Sequence, residues 1–298
     1  MAQKSFGGSH TVKKLDRLEA YLRAFLTAFK KLNWAHTVYF DAFAGTGEVP
    51  LPEKEAELPL DLQERRFIEG SVTRALKLEL SFHEYIFVEK KKRKAMALLS
   101  KLKAEWPERS DIISVRSTDA NTALIELCQS KDWRNCRAVV FLDPFGSQVD
   151  WSTIKALAET QAVDLWYLFP AGLSVNRQIG ANGSVHYTHE ASITRLLGTE
   201  DWKFAFLDRQ QAAPDLFGHA EASVIKTATP ESVTRFMIER MKAVFAGGVS
   251  DEWLPLGRNQ GHWYSLIFAC SNPSPKASAL ALKLAKAVLR TENRGRTK

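Results

Sequence analysis

Residues 37–47 of the chain read T-V-Y-F-D-A-F-A-G-T-G, and the pattern of this segment favours an α/β fold. Its first half is rich in β-branched and aromatic residues, which predicts a buried strand. Its last three residues form a Gly-x-Gly turn, in which glycine can adopt φ > 0 and lets a ligand lie against the backbone. A buried strand that opens onto such a turn is how doubly wound α/β proteins build a site for a nucleotide cofactor.

The glycine spacing narrows the choice of cofactor. The dinucleotide fingerprint G-x-G-x-x-G would need a third glycine where the chain has Pro50, and no G-x-x-x-x-G-K-[ST] loop is present. The form D-x-F-A-G-x-G instead resembles motif I of the class I S-adenosylmethionine (SAM) methyltransferases. The alternative is a plain glycine turn after a buried strand. The candidate cofactor-binding residues of this segment are Asp41, Phe43, Ala44, Gly45 and Gly47.

Composition sets limits on the class of protein. The chain has 298 residues, of which 45% are apolar and 25% are charged, as in ordinary globular proteins. Apolar runs are too short to span a membrane, and the N-terminus has no apolar signal core. The three cysteines form no C-x-x-C pair, which argues against a disulfide framework or a zinc site and fits a reducing cytoplasm. The net charge of +7 permits a polyanionic partner such as nucleic acid.

The order of predicted elements favours one α/β domain over 1–298. Five strands alternate with helices between residues 37 and 170, which predicts a parallel sheet with right-handed crossovers. Three prolines and a cluster of acids indicate a loop inserted at 48–69. The less regular region 172–250 reads as a helical cap that faces the substrate. Further predictions are a helix at 11–32, a helical piece at 202–208, a helix at 230–246, strands at 253–256 and 262–270 with a turn at 259–261 between them, and a terminal helix at 276–289.

Two acids follow predicted strands at the edge of the sheet where ligands bind. Glu89 ends the second strand, where an acid accepts hydrogen bonds from ribose hydroxyls in nucleotide-binding folds. The alternative is an exposed acid that pairs with the cations at 90–94, a run that could contact phosphate but by default is a solvated face. Asp119, followed by Ala120, could accept from the exocyclic amine of an adenine or could be a plain helix cap.

The segment Asp143–Pro144–Phe145 carries the candidate acceptor chemistry. It follows a strongly apolar strand, and an acid at a strand end beside an aromatic ring suits the binding of an amine on a planar ring. The alternative is a turn. His186 and His189 lack cysteine neighbours and a suitable third ligand, so the sequence predicts no metal site there.

Taken together, the motifs resemble the three-Cys-motif partner protein (TcmP) family. The resemblance covers most of the chain and rests on D-A-F-A-G-T-G at 41–47, E-G-S at 69–71, F-V-E at 87–89, F-L-D-P-F-G at 141–146, N-R at 176–177, L-L-G at 196–198 and Y-S-L-I-F-A-C-S-N-P at 264–273. The three cysteines of the family name belong to a partner protein that resembles radical-SAM proteins. The segment D-P-F-G-S also resembles a motif of tRNA guanine dimethyltransferases, whereas N-methyltransferases more often carry D-P-P-[YF].

The resemblance implies a Rossmann-like class I methyltransferase fold with a seven-stranded sheet in the order 3-2-1-4-5-7-6. It implies that Asp41, Gly45 and Gly47 cradle the methionine part of SAM, that Glu89 holds the ribose and that Asp119 holds the adenine amine. Asp143, Pro144 and Phe145 would face the acceptor. Three functions stay open. The first is a SAM-dependent methyltransferase acting on a nucleic-acid base, the second a non-catalytic SAM-binding partner of a three-Cys-motif protein, and the third a methyltransferase acting on protein or a small molecule.

Overall fold

The computed structural model describes residues 9–32, 34–46, 48–50, 67–211, 222–257 and 261–291. Nine α-helices lie in these ranges: α1 (Ser9–Phe29), α2 (Ser71–Leu76), α3 (Lys92–Glu105), α4 (Ala120–Ser130), α5 (Trp151–Glu159), α6 (Tyr187–Leu197), α7 (Trp202–Phe206), α8 (Pro230–Lys242) and α9 (Pro275–Arg290). The strands are β1 (His36–Asp41), β2 (Glu48–Pro50), β3 (Phe67–Glu69), β4 (Glu84–Val88), β5 (Ile113–Arg116), β6 (Cys136–Leu142), β7 (Val163–Phe169), β8 (Leu207–Gln211), β9 (Ala222–Lys226), β10 (Leu254–Leu256) and β11 (Tyr264–Cys270).

Seven strands form one sheet in the order β10-β11-β7-β6-β1-β4-β5. Five neighbouring strands are parallel, namely β7, β6, β1, β4 and β5. Strand β11 runs antiparallel to both β7 and β10. When these seven strands are numbered in chain order and the sheet is read from β5 to β10, the strand order is 3-2-1-4-5-7-6, as predicted. The predicted Rossmann-like fold is therefore confirmed.

The sheet is buried on both faces, which explains why its strands are continuous apolar runs. Along β1 the side chains alternate between two cores, since Val38 and Phe40 pack on one face and Tyr39 on the other. Residues of α4, α5, α6 and α8 cover the first face. Residues of α1, α2, α3 and α9 cover the second. The protein is thus a three-layer α/β/α structure, and helices begin just beyond the carboxyl ends of the parallel strands.

The structure differs from the sequence prediction in the connecting regions. In the segment predicted as an inserted loop, β2 pairs antiparallel with β3, and residues 51–66 lie outside the described residues. The prediction of a helical piece at 202–208 is wrong at its C-terminal end. The helix stops at Phe206, and the next two residues belong to β8, which pairs antiparallel with β9. The polar sequence of β8, L-D-R-Q-Q, has no apolar alternation that would have indicated a strand. The region 172–250 therefore contains a two-stranded sheet besides its helices.

Two predicted features fall outside the described residues, namely Gly47 and most of the turn at 259–261. Within the described ranges, no helix combines the length and the apolar character that crossing a membrane requires.

Candidate functional site

A cleft of about 580 Å³ lies at the carboxyl ends of the parallel strands. Its position follows from the topology, because the loops after β1, β4, β5 and β6 all leave the same edge of the sheet. The residues that line it are Ala42, Phe43, Gly45, Val88, Glu89, Lys90, Lys91, Lys94, Thr118, Asp119, Ala120, Asp143, Phe145 and Gln148. Seven of the predicted site residues are in this set, brought together from four separate loops.

The glycine turn forms one wall of the cleft. Gly45 has φ +59°, a conformation that side-chain-bearing residues rarely adopt, and a Cβ atom at this position would meet nothing within 4 Å. The space beside the turn is therefore open to a ligand. Ala44 is buried and contributes through its backbone, whose N–H donates to the carbonyl of Val88 at 2.9 Å and so ties the turn to β4.

Asp41 does not line the cleft. Its side chain is fully buried, where Oδ1 accepts from the Phe43 N–H at 3.1 Å and Oδ2 accepts from the Ser71 hydroxyl. Burial raises the pKa of this carboxyl to about 6, although both hydrogen bonds act in the opposite direction. The structure thus makes Asp41 a support that fixes the glycine turn and joins it to the start of α2.

Glu89 and Asp119 reach the cleft from neighbouring strand ends. The Glu89 N–H donates to the Arg116 carbonyl at 3.1 Å, and its Oε1 accepts from the Lys91 N–H at 2.8 Å. Within the described part of the chain, Oε2 has no hydrogen-bond partner and can serve a ligand hydroxyl. Asp119 is the N-cap of α4, and its Oδ1 accepts from the Asn121 N–H at 3.0 Å. It therefore caps the helix and lines the cleft at the same time.

The charge of Asp119 is stabilised locally. Burial acts to raise the pKa of this carboxyl, but hydrogen bonds from Lys90 and from the Asn121 N–H outweigh that effect and lower the pKa. The Lys90 Nζ lies 3.1 Å from Oδ2. Asn121 also links this loop to the next one, because its side chain donates to the Gln148 carbonyl at 2.9 Å and accepts from the Asp150 N–H at 3.0 Å.

The D-P-F-G segment forms the opposite wall. Asp143 lines the cleft and makes an ion pair with Lys14 of α1. The Phe145 side chain is 65% exposed, and its N–H donates to Gln148 Oε1 at 2.8 Å. Pro144 is buried and does not line the cleft, so it shapes the backbone between two residues that do. The Asp143 carboxyl group and the exposed Phe145 ring thus stand side by side.

Sequence reasoning missed several residues of the site. Lys14 is 129 residues away from Asp143 along the chain, and no local pattern could connect the two. Ser71 is the first residue of α2, and its hydroxyl donates to Asp41 Oδ2. Lys90, Lys91 and Gln148 follow closely after the ends of β4 and β6, and this position could have indicated that they border the cleft. Among the described residues no group of His, Cys, Asp or Glu side chains is arranged to hold a metal ion.

The cleft satisfies the chemical demands of a nucleoside cofactor such as SAM. An open glycine turn admits a chain against the backbone, and a carboxylate with a free oxygen suits ribose hydroxyls. A second ionised carboxylate at the next strand end suits an amine. The groups present therefore fit this class of ligand.

The fold has counterparts among solved structures. No protein-family model and no curated protein matches the sequence. The protein LPL1258 of Legionella pneumophila superimposes with a TM-score of 0.50 at 13% identity, over 95% of this chain and 94% of that one. The glycopeptide N-methyltransferase MtfA, solved with S-adenosyl-L-homocysteine (SAH), gives a TM-score of 0.33 at 11% identity over 85% and 89% of the two chains. At such identities the likeness concerns the fold alone.

The strand order and the position of the cleft define the fold class. The chain has the seven-stranded Rossmann-like fold of class I methyltransferases, with its glycine turn and its strand-end acids around one cleft.

Proposed function

We propose that this protein is a SAM-dependent methyltransferase whose acceptor is an amine nitrogen on a planar ring, such as a nucleic-acid base. One observation carries the proposal. A single cleft brings an open glycine turn and the strand-end acids Glu89 and Asp119 next to the pair Asp143 and Phe145. The first group suits a nucleoside cofactor and the second a flat amine-bearing acceptor, so both reactants would meet there.

The chain's own residues would hold the cofactor. The turn at Gly45 receives the amino-acid part, Glu89 Oε2 accepts from a ribose hydroxyl, and Asp119 accepts from an exocyclic amine. Lys90 shares the Asp119 carboxylate and keeps it ionised, which maintains its capacity as an acceptor. Bound SAM supplies an electrophilic methyl group.

Asp143 would orient the acceptor. Its Oδ2 is engaged by Lys14, and Oδ1 has no hydrogen-bond partner within the described part of the chain. Oδ1 can therefore accept a hydrogen from the acceptor amine and hold the nitrogen lone pair in line for transfer. The exposed ring of Phe145 stacks on the acceptor ring and restricts its rotation.

Ligand-induced stabilisation tests the cofactor. At about 100 times its dissociation constant, a ligand adds about 2.7 kcal/mol to the free energy of unfolding. We expect SAM and SAH to raise the Tm by several degrees and NAD to leave it unchanged. Equal effects of all three, or no effect of SAM and SAH, would contradict the proposal.

The variant Asp143→Asn tests the acceptor role. We expect it to bind SAH within about tenfold of the parent affinity and to lose turnover by at least about a hundredfold, because the amide presents a weaker acceptor. The control Asp111→Asn changes an exposed acid that does not line the cleft and should keep both properties. Parent-level turnover in Asp143→Asn would remove the residue from the mechanism.

A further inference from the structure

A continuous run of five cations borders the mouth of the cleft. Residues 90–94 read K-K-K-R-K, and of these Lys90, Lys91 and Lys94 line the cleft itself. Lys92 and Arg93 are exposed beside them at the start of α3. The positive rim is therefore continuous with the site proposed for the cofactor and the acceptor.

These cations do not stabilise α3, although they lie at its N-terminus. A helix N-terminus carries positive partial charge, so cations in the first turn are unfavourable and acids are favourable. The first turn of α3 has no acid, and its N-cap, Lys91, makes no side-chain capping hydrogen bond. Helix stability therefore does not explain this run.

Nearby acidic side chains neutralise only part of the positive charge of residues 90–94. Lys90 is paired with Asp119 at 3.1 Å. Glu89 is the other acid of the cleft on this side, and its Oε1 is taken by a backbone N–H. Within the described residues, the side chains of Lys91, Lys92, Arg93 and Lys94 have no carboxylate within ion-pair distance. The rim thus presents an excess of positive charge to solvent.

The opposite wall of the same cleft holds Asp143 and the exposed ring of Phe145. An aromatic face and a row of cations at one cleft suit a ligand that carries both flat rings and several anionic groups. A nucleic-acid strand has both features. An acidic peptide has the charge without the amine-bearing ring, and a free nucleoside has the ring without the charge.

We propose that the substrate is a polynucleotide, whose target base lies against Phe145 and whose neighbouring phosphates contact the cationic rim at 90–94. This inference rests on the proposed function, since it assigns the acceptor base to the same cleft. Because four cations of the rim have no carboxylate partner among the described residues, the single phosphate of one nucleotide is too few to contact them all. Binding should therefore strengthen with strand length, beyond a single nucleotide.

The double variant Lys92→Glu/Arg93→Glu tests this inference without removing a cleft-lining residue. Acids in the first turn favour the helix, so the variant should have a Tm equal to or above that of the parent. The matched control is Lys30→Glu/Lys31→Glu, which makes the same change in net charge at exposed positions just after α1, away from the cleft. The readout is the fluorescence anisotropy of labelled 12-residue RNA and DNA strands of mixed sequence, titrated at several KCl concentrations.

We expect Lys92→Glu/Arg93→Glu to weaken binding of at least one of the two strands by tenfold or more, and the control by less than threefold. The slope of log affinity against log salt should become shallower by about one to two in the variant. Adenosine monophosphate should compete far more weakly than the unlabelled 12-residue strand.

Three results would overturn the inference: parent-level strand binding in Lys92→Glu/Arg93→Glu, equal losses in the two double variants, or competition by poly-glutamate as strong as that by the strand. SAH affinity, measured by calorimetry on the same proteins, separates this inference from the proposed function. Strand binding that depends on the rim, in a protein that does not bind SAH, would contradict the methyltransferase proposal and leave the nucleic-acid surface standing.

Discussion

Lys14 and Asp143 form the contact that joins the first helix to the acceptor wall of the cleft. Their side chains are only 13% and 26% exposed, so solvent screens the pair less than it would a surface ion pair. The ammonium group pairs with Oδ2, and within the described residues Oδ1 has no hydrogen-bond partner. If Asp143 orients the acceptor as proposed, Lys14 is a positioning residue that acts through Asp143.

The variant Lys14→Met tests this role. It keeps most of the side-chain volume but leaves the carboxylate without its cation, so we expect turnover to fall by about tenfold or more and SAH affinity to stay within about twofold. Loss of the pair should cost about 1 to 2 kcal/mol of stability, since the site is partly exposed. Lys13→Met is the matched control, because within the described residues Lys13 has no carboxylate partner. Equal turnover in both variants would show that Lys14 does not position Asp143.

The raised pKa of the Asp41 carboxyl leads to a prediction about how the free energy of unfolding depends on pH. Its pKa in the folded protein is raised to about 6, whereas an unfolded chain has the ordinary value near 3.9. Between these values the folded state binds more protons than the unfolded state, so this group destabilises the fold increasingly as pH rises from about 4 to 6. In Asp41→Asn the penalty is absent, and the amide can still accept from the Phe43 N–H and donate to Ser71 Oγ.

We therefore expect the stability of Asp41→Asn relative to the parent to increase by about 2 to 3 kcal/mol between pH 4 and pH 7. Urea unfolding at several pH values measures this difference. Stability curves that run parallel for the two proteins over this pH range would show that the carboxyl titrates normally.

At the scale of single residues, the sequence predicted positions better than roles. Glu89, Asp119 and Asp143 were recognisable because each follows an apolar strand, and strand ends meet at one edge of a parallel sheet. The inward direction of the Asp41 side chain was not recognisable, since it depends on a hydroxyl that arrives from α2. The contact between Lys14 and Asp143 likewise exists only once the chain has folded.

At the scale of elements, two glycines with positive φ differ in whether packing, as well as backbone conformation, requires a glycine. Gly198 ends α6 with φ +70°, and a Cβ there would lie 2.0 Å from the ring of the buried Trp151. Gly45 has φ +59°, but a Cβ there would meet no atom within 4 Å. Both positions need glycine for their backbone, and only the first needs it for packing.

We expect Gly198→Ala to destabilise the protein by about 3 kcal/mol or more, because left-handed strain adds to a clash within a packed core. Gly45→Ala should cost only about 1 kcal/mol of stability while weakening SAH binding, since the added methyl group enters the ligand space. Thermal melts and SAH titrations of both variants measure these effects. A greater stability loss in Gly45→Ala than in Gly198→Ala would contradict the packing seen in the structure.

The central strands were predictable as elements because burial on both faces leaves a long apolar run in the sequence. The pairs β2–β3 and β8–β9 were not, because they are short, antiparallel and peripheral, and their residues carry no clear periodicity. Their pairing depends on which segments the fold brings together, which a local pattern does not record.

At the scale of the whole molecule, the residues that stabilise the fold and the residues that line the cleft occupy different parts of the sheet. Hydrophobic cores cover both faces of the sheet, while the residues that line the cleft lie at or just beyond the strand ends at one edge. Stability and ligand binding can therefore vary almost independently. The predicted three-Cys-motif partner protein would dock on some face of this body, and that partnership stays a prediction.

Hydrogen exchange with and without SAH tests this division across the entire chain. Because the cofactor would contact loops from four strands, we expect slower exchange at residues 42–45, 88–91, 118–121 and 143–148 when SAH is bound. The amides of β9 lie in the peripheral two-stranded sheet and should exchange at the same rate in both states. Protection confined to β9, or spread evenly over both cores, would mean that SAH binds elsewhere or acts through the fold as a whole. Protection limited to the four loops would locate the cofactor in the cleft without any appeal to catalysis.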